Sequence, residues 1–190
     1  DVETTSFIAH VRYASVGKKT LANSHPFTRE FKGREIVFAH NGTLNRDDFF
    51  KTTPNYNSIG ETDSEAAFCH LLNQMTFKNI DFTQFDEIQD LLSQMNLSGK
   101  MNVMFSDGEN LFAYYDKNNY NRMYYHQFKA PFTKINLHDK DWSIDFSGDK
   151  DASQFGYVIA TDPLTHDDWV PMKNGSLTVI RRGELIFSAI

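Results

Sequence analysis

The stretch IVFAHNGTL, residues 36–44, decides how this chain is read. Ile36, Val37, Phe38 and Ala39 form a short, continuous apolar run, the pattern of a buried strand. His40-Asn41-Gly42 then breaks it, because Asn-Gly is a tight-turn dipeptide. The expected strand therefore ends at Ala39 and leaves its sheet at Asn41-Gly42. A strand leaving there presents backbone N–H groups and a side-chain amide at one point, which is what an oxyanion hole requires. Taken alone, the dipeptide is a plain turn.

Working outward, residues 6–15 alternate around Phe7, Ala9, Val11 and Tyr13 and predict a strand. Residues 16–30 are polar, contain Gly17 and Pro26, and predict a loop. Residues 43–60 predict mostly loop, with a short helix at 46–51. Thr62-Asp63-Ser64-Glu65 has the form of a capping box, in which Thr62 caps and Glu65 reaches back. Phe68, Leu71, Leu72 and Met75 follow at helical spacing, one apolar stripe. A second helix is expected over 83–95, with Phe85, Ile88, Leu91, Leu92 and Met95 as its stripe. Strands are expected at 101–105 and 111–115, joined at Asp107-Gly108, and again at 123–128. Residues 129–153 read as a polar surface excursion. A buried strand at 155–160, a turn at Asp162-Pro163 and a hairpin over 177–188 turning at Arg182-Gly183 complete the chain. Strands, then helices, then strands predict an α+β domain rather than an alternating βαβ fold.

The 190 residues, 40% hydrophobic and 14% aromatic, fit one domain with a substantial core. A net charge of −6 argues against nucleic acid or an anionic membrane as a partner. No apolar run is long enough to span a bilayer and no signal peptide is recognisable. The single cysteine, Cys69, excludes an intrachain disulfide, and a reducing, cytoplasmic setting is expected. Two turns into a helix and beside Phe68, Cys69 lacks the helix N-terminus or cationic neighbour that activates a thiol, so it reads as structural. No metal-binding spacing and no glycine-rich phosphate loop is present, and no cofactor is expected.

Three candidates carry chemistry. Arg12 shares a strand face with His10 and Ala14. It reads as a structural ion pair at a sheet edge, or as a planar fork for a carboxylate. Asn41-Gly42 reads as a turn, or as an oxyanion hole. Asp63 reads as a carboxylate favoured by the helix dipole, or as the partner of a ligand ammonium. His25, before Pro26, reads as a packing residue that could hold a strand end or shape a pocket wall.

Taken together, His10-Val11-Arg12-Tyr13-Ala14-Ser15, Asn23-Ser24-His25-Pro26-Phe27, His40-Asn41-Gly42-Thr43-Leu44 and Glu61-Thr62-Asp63-Ser64-Glu65 resemble the class II glutamine amidotransferases. Those enzymes have the N-terminal-nucleophile (Ntn) hydrolase fold. The tail, residues 156–164 followed by Trp169 and a closing hairpin, is similar to the compact, stand-alone branch. The resemblance implies an αββα sandwich of stacked antiparallel sheets flanked by helices, filling residues 1–190 as one domain. It implies that Arg12 binds the α-carboxylate of glutamine and Asp63 its α-ammonium. Asn41, through its amide, and Gly42, through its N–H, would stabilise the oxyanion. Tyr13 and Ser15 would line the pocket. Tyr13 stands where synthase members often have Trp, and Val16 where they often have His.

The family nucleophile is an N-terminal cysteine whose own α-amine serves as base, and this sequence starts at Asp1. The resemblance therefore implies that the nucleophile and the first strands lie in a segment missing before Asp1. Residues 1–190 alone would then be expected to be inactive. The expected reaction of the intact protein is cleavage of the γ-amide of glutamine through a cysteinyl thioester, with any ammonia acceptor being a separate enzyme. Two rivals stand beside it. One is a hydrolase of γ-glutamyl peptides or conjugates. The other is a non-catalytic domain that binds an amino acid or a partner protein.

Overall fold

The computed structural model describes residues 4–11, 18, 20–49, 55–131, 134–136, 143–145 and 153–188. Its spine is β2 (Arg34–Leu44), which is longer than the sequence predicts. Asn41-Gly42 does not leave the sheet. β3 (Gly99–Ser106) runs antiparallel beside it in an unbroken ladder from Val37↔Ser106 to Leu44↔Gly99. Turn propensity is a local term, and continuous pairing outweighs it here. The chain leaves the ladder at Asn45, whose N–H donates to the Ser98 carbonyl at 2.9 Å.

β1 (Phe27–Phe31) forms a hairpin with β2 through the two-residue turn Lys32-Gly33. Both turn residues have positive φ, 50° and 80°, which matches the twist of a tight hairpin. The sequence places a loop over residues 16–30, which are polar and contain Gly17 and Pro26; in the strand, Arg29 shares a face with Phe27 and Phe31. The structure accommodates its charge by an ion pair between Arg29 and the buried Glu65. Residues 4–11 contain no strand: Phe7 is 79% and Val11 99% exposed. Alternation makes a strand only where another strand lies alongside, and none of the described strands does.

The two helices are α1 (Asp63–Phe77) and α2 (Phe85–Met95). The expected stripes are buried, Phe68, Leu71, Leu72 and Met75 on α1 and Ile88, Leu91, Leu92 and Met95 on α2, except that Phe85 at the start of α2 is only half-buried against the core. A short 3-10 turn, Arg46–Phe49, stands where a short helix is expected. β4 (Asn110–Tyr114), β10 (Leu177–Arg181) and β11 (Glu184–Ser188) extend the sheet in the order β1-β2-β3-β4-β10-β11, every pair antiparallel. One cross-strand row runs through all six strands: Phe27, Phe38, Phe105, Phe112, Val179 and Phe187. Phe105 and Phe112 stack at 4.4 Å, and Phe38 stacks on Phe68 of α1 at 4.8 Å. Helices and sheet are thus sealed by one aromatic layer.

The opposite face of the sheet contributes Met104, Ala113 and Tyr115 to a smaller cluster with Met123 and Met172. Tyr125 and Ile159 pack on this cluster from a second antiparallel sheet, ordered β8-β5-β9. Its strands are β5 (Tyr124–Lys129), β8 (Phe155–Ala160) and β9 (Val170–Pro171). β8, expected to be buried, is only half-covered. The excursion at 129–153 contains a small hairpin of β6 (Lys134–Asn136) and β7 (Ser143–Asp145). The architecture is mixed α+β with stacked antiparallel sheets, and both described helices cover one face of the larger sheet. No helix among the described residues is long and apolar enough to cross a membrane.

Candidate functional site

The last residues of β2, the first of β3 and the first turn of α1 meet at one corner of the sheet. Thr62 caps α1 by accepting the Glu65 N–H at 3.2 Å. Glu65 does not complete the box by reaching back. Its carboxylate instead accepts the Ile59 N–H at 2.9 Å and the Gly60 N–H at 2.6 Å, and pairs with Arg29. That arrangement fixes the loop entering the helix, and with it Asp63 and Ser64.

Asp63 opens the helix and accepts the Leu44 N–H on Oδ2 at 2.7 Å. A half-buried carboxylate is thus tied to the end of the strand that carries Asn41 and Gly42. One residue on, Ser64 Oγ lies 2.9 Å from Nδ1 of His40. Nε2 of His40 lies 3.1 Å from the Lys100 carbonyl oxygen. A carbonyl can only accept, so Nε2 carries the proton and Nδ1 accepts from the Ser64 hydroxyl. Burial, the dominant influence, pushes the His40 pKa down. Asp63 and Asp116 oppose that shift and His10 adds to it.

Strand alternation puts His40 and Gly42 on the helix-facing side and Asn41 on the other. Gly42 stands directly across from Met101. A Cβ there would collide with the Lys100 carbonyl and come within 2.7 Å of His40 Nε2, so glycine is required by close approach. Asn41 pairs across the ladder with Asn102. The Asn102 amide donates to the Tyr120 and Asn121 carbonyls at 3.0 and 2.6 Å, and its Oδ1 accepts the Asp116 N–H at 3.0 Å. Asp116, fully buried, accepts from the Asn96 amide, Met101 N–H, Asn118 N–H and Tyr120 N–H. Tyr114 donates its hydroxyl to Asn96 at 3.2 Å, and burial pushes its pKa up to about 12.

The family model for class II glutamine amidotransferases matches residues 1–190. The chain belongs to the class II glutamine amidotransferases. An uncharacterized protein of Methanocaldococcus jannaschii, MJ1515, is 42% identical over 189 residues, covering 98% of this chain and 53% of its own length. YafJ of Escherichia coli K12, provisionally named a glutamine amidotransferase, is 36% identical over 97% of this chain and 73% of its own. The crystal structure of a predicted glutamine amidotransferase from Pseudomonas aeruginosa PA01 superposes with a TM-score of 0.73 at 34% identity, covering 88% of this chain and 66% of that one. The chain thus spans about half the length of the archaeal relative. Its fold is that of the Ntn-type amidotransferases.

Of the site residues the sequence points to, Asn41 and Gly42 lie within β2 and Asp63 is tied to the end of that strand through the Leu44 N–H, with the Asn41 side chain on the sheet face away from the helices. Arg12, Tyr13 and Ser15 lie outside the described residues. His25 packs as a ring: it stacks on His10 at 4.2 Å and meets Phe27, the first residue of β1, edge-on at 4.7 Å. Cys69 is buried and burial raises its thiol pKa, the opposite of an activated nucleophile, as the sequence predicts. His40, Ser64, Asn102 and Asp116 escaped the sequence reading. The available signal was position: His40 shares a strand face with Gly42, and Ser64 adjoins Asp63.

Proposed function

We propose that the intact protein hydrolyses the γ-amide of glutamine, or of a γ-glutamyl compound, and that this corner is half of its site. The observation that carries the reading is the Leu44–Asp63 bond, which sets a carboxylate beside the strand bearing Asn41 and Gly42. A glutamine zwitterion needs one fixed anion and one fixed cation. Asp63 takes the ammonium on its remaining lone pairs, and Arg12 takes the α-carboxylate. Tyr13 and Ser15 line the pocket between them.

In the intact protein the thiol of an N-terminal cysteine attacks the γ-carbonyl carbon, its proton passing to the chain's own α-amine. The resulting oxyanion is stabilised by the Asn41 amide and the Gly42 N–H. Collapse breaks the C–N bond, the amine returns the proton, and ammonia leaves. Water then cleaves the γ-glutamyl thioester to glutamate and free thiol.

The test is to mix the full-length protein with glutamine, quench in acid and weigh it. The reading expects the mass of one γ-glutamyl group on the N-terminal residue, with release of glutamate. Parallel assays on γ-glutamyl peptides decide the substrate class. Absence of both adduct and glutamate would leave the binding-module reading in its place.

A further inference from the structure

His40 occupies a place where packing alone would favour an apolar side chain. Its neighbours on the same face of β2, namely Ile36, Phe38 and Leu44, are all buried and apolar. A buried imidazole carries a desolvation cost that only satisfied hydrogen bonds offset. Both ring nitrogens are satisfied, and the partners are informative. One is Ser64, the residue after Asp63 on α1. The other is the Lys100 carbonyl, the atom against which Gly42 lacks a Cβ. The ring is a rigid spacer between the helix start and the β2–β3 ladder, bonded at opposite edges.

We infer that His40 is a positioning residue of the glutamine site, fixing the spacing between Asp63 and the Asn41-Gly42 donors through its bonds to Ser64 and Lys100. The inference rests on the hydrolytic reading above for its catalytic consequence, and on the His40 geometry for the link itself. An imidazole performs this task better than a flexible chain because it has few rotamers to lose. The neutral form is the one required, with one nitrogen donating and the other accepting. Burial and His10 favour that form, against the Lys100 carbonyl, Asp63 and Asp116. Misplacement of reacting groups by about 1 Å costs on the order of 100-fold in rate, so the link is worth holding.

Three variants of the full-length protein separate positioning from bulk stability: Ser64→Ala, His40→Gln and His40→Phe. Each is read for kcat and KM on glutamine, thermal midpoint, and amide hydrogen exchange at Leu44. Ser64→Ala cuts the helix side of the link. It should raise KM several-fold, leave kcat within about twofold, and quicken Leu44 exchange. His40→Phe should lower kcat by about 10- to 100-fold. His40→Gln, which retains an N–H for the Lys100 carbonyl, should recover most of kcat while KM stays raised. Equal loss in kcat and KM that merely follows the thermal midpoint, with Leu44 exchange unchanged, would overturn the inference. If the wild type hydrolyses no γ-glutamyl amide yet Leu44 exchange quickens as described, the hydrolytic reading fails and the link stands.

Discussion

The helix-facing side of the large sheet is sealed by rings, whereas the strand ends behind Asn41 are held by hydrogen bonds. On the first side a row of phenylalanines crosses the strands and the helices lie on it. On the second, Asn96, Asn102 and Asp116 interlock β3, the end of α2 and the 116–121 loop. The aromatic layer is non-directional and tolerates small shifts. The polar clamp is directional: each atom has a partner at a set distance, and a shift leaves a buried group unsatisfied. On the proposed reading, β2 gains from being backed by the second kind, because oxyanion donors are useful only where the charge develops.

That comparison can be broken by mutation. Phe105→Ala, at the centre of the aromatic row, should cost about 3–5 kcal/mol in urea denaturation. Ile159→Ala on the half-covered second sheet should cost only about 1–2 kcal/mol, and equal losses would deny that the two layers differ. Asp116→Ala strands four donors and should cost about 3 kcal/mol, with Asn118 and Tyr120 amides exchanging sooner than those of β4. A smaller, titratable effect sharpens the picture. Burial lowers the pKa of both His40 and His70, so the unfolded chain binds more protons below the ordinary value. Stability is therefore full above about pH 6.5 and falls as the pH drops below it. His70→Gln should flatten that slope, measured from pH 6.5 to 5.5. A slope unchanged by the substitution would remove His70 from the account.

The ring layer was readable in the sequence and the clamp was not, for physical reasons. Phe68, Leu71, Leu72 and Met75 repeat at helical spacing, and a repeat needs no partner to be seen. The β3–β4 and β10–β11 hairpins announced themselves through turn residues in the same way. β1 was hidden because Arg29 looks polar until Glu65, 36 residues later, neutralises it. β2 was cut short because Asn41-Gly42 reads locally as a turn, and only β3 reveals that it is paired. Asn102 and Asp116 look like ordinary loop formers, since a hydrogen-bond network is a property of several distant segments at once. At the site, motif order brought Asn41, Gly42 and Asp63 into view together, while His40 between them went unassigned because nothing in its neighbours names Ser64 or Lys100 as partners.

The central claim is that the β2 end beside Asp63 carries an oxyanion hole, and glutaminase kinetics of Asn41→Ala in the full-length protein test it most directly. The substitution should lower kcat by about 10²–10³-fold while KM for glutamine stays near the wild-type value. A kcat equal to wild type would contradict the claim and return Asn41-Gly42 to an ordinary stretch of strand.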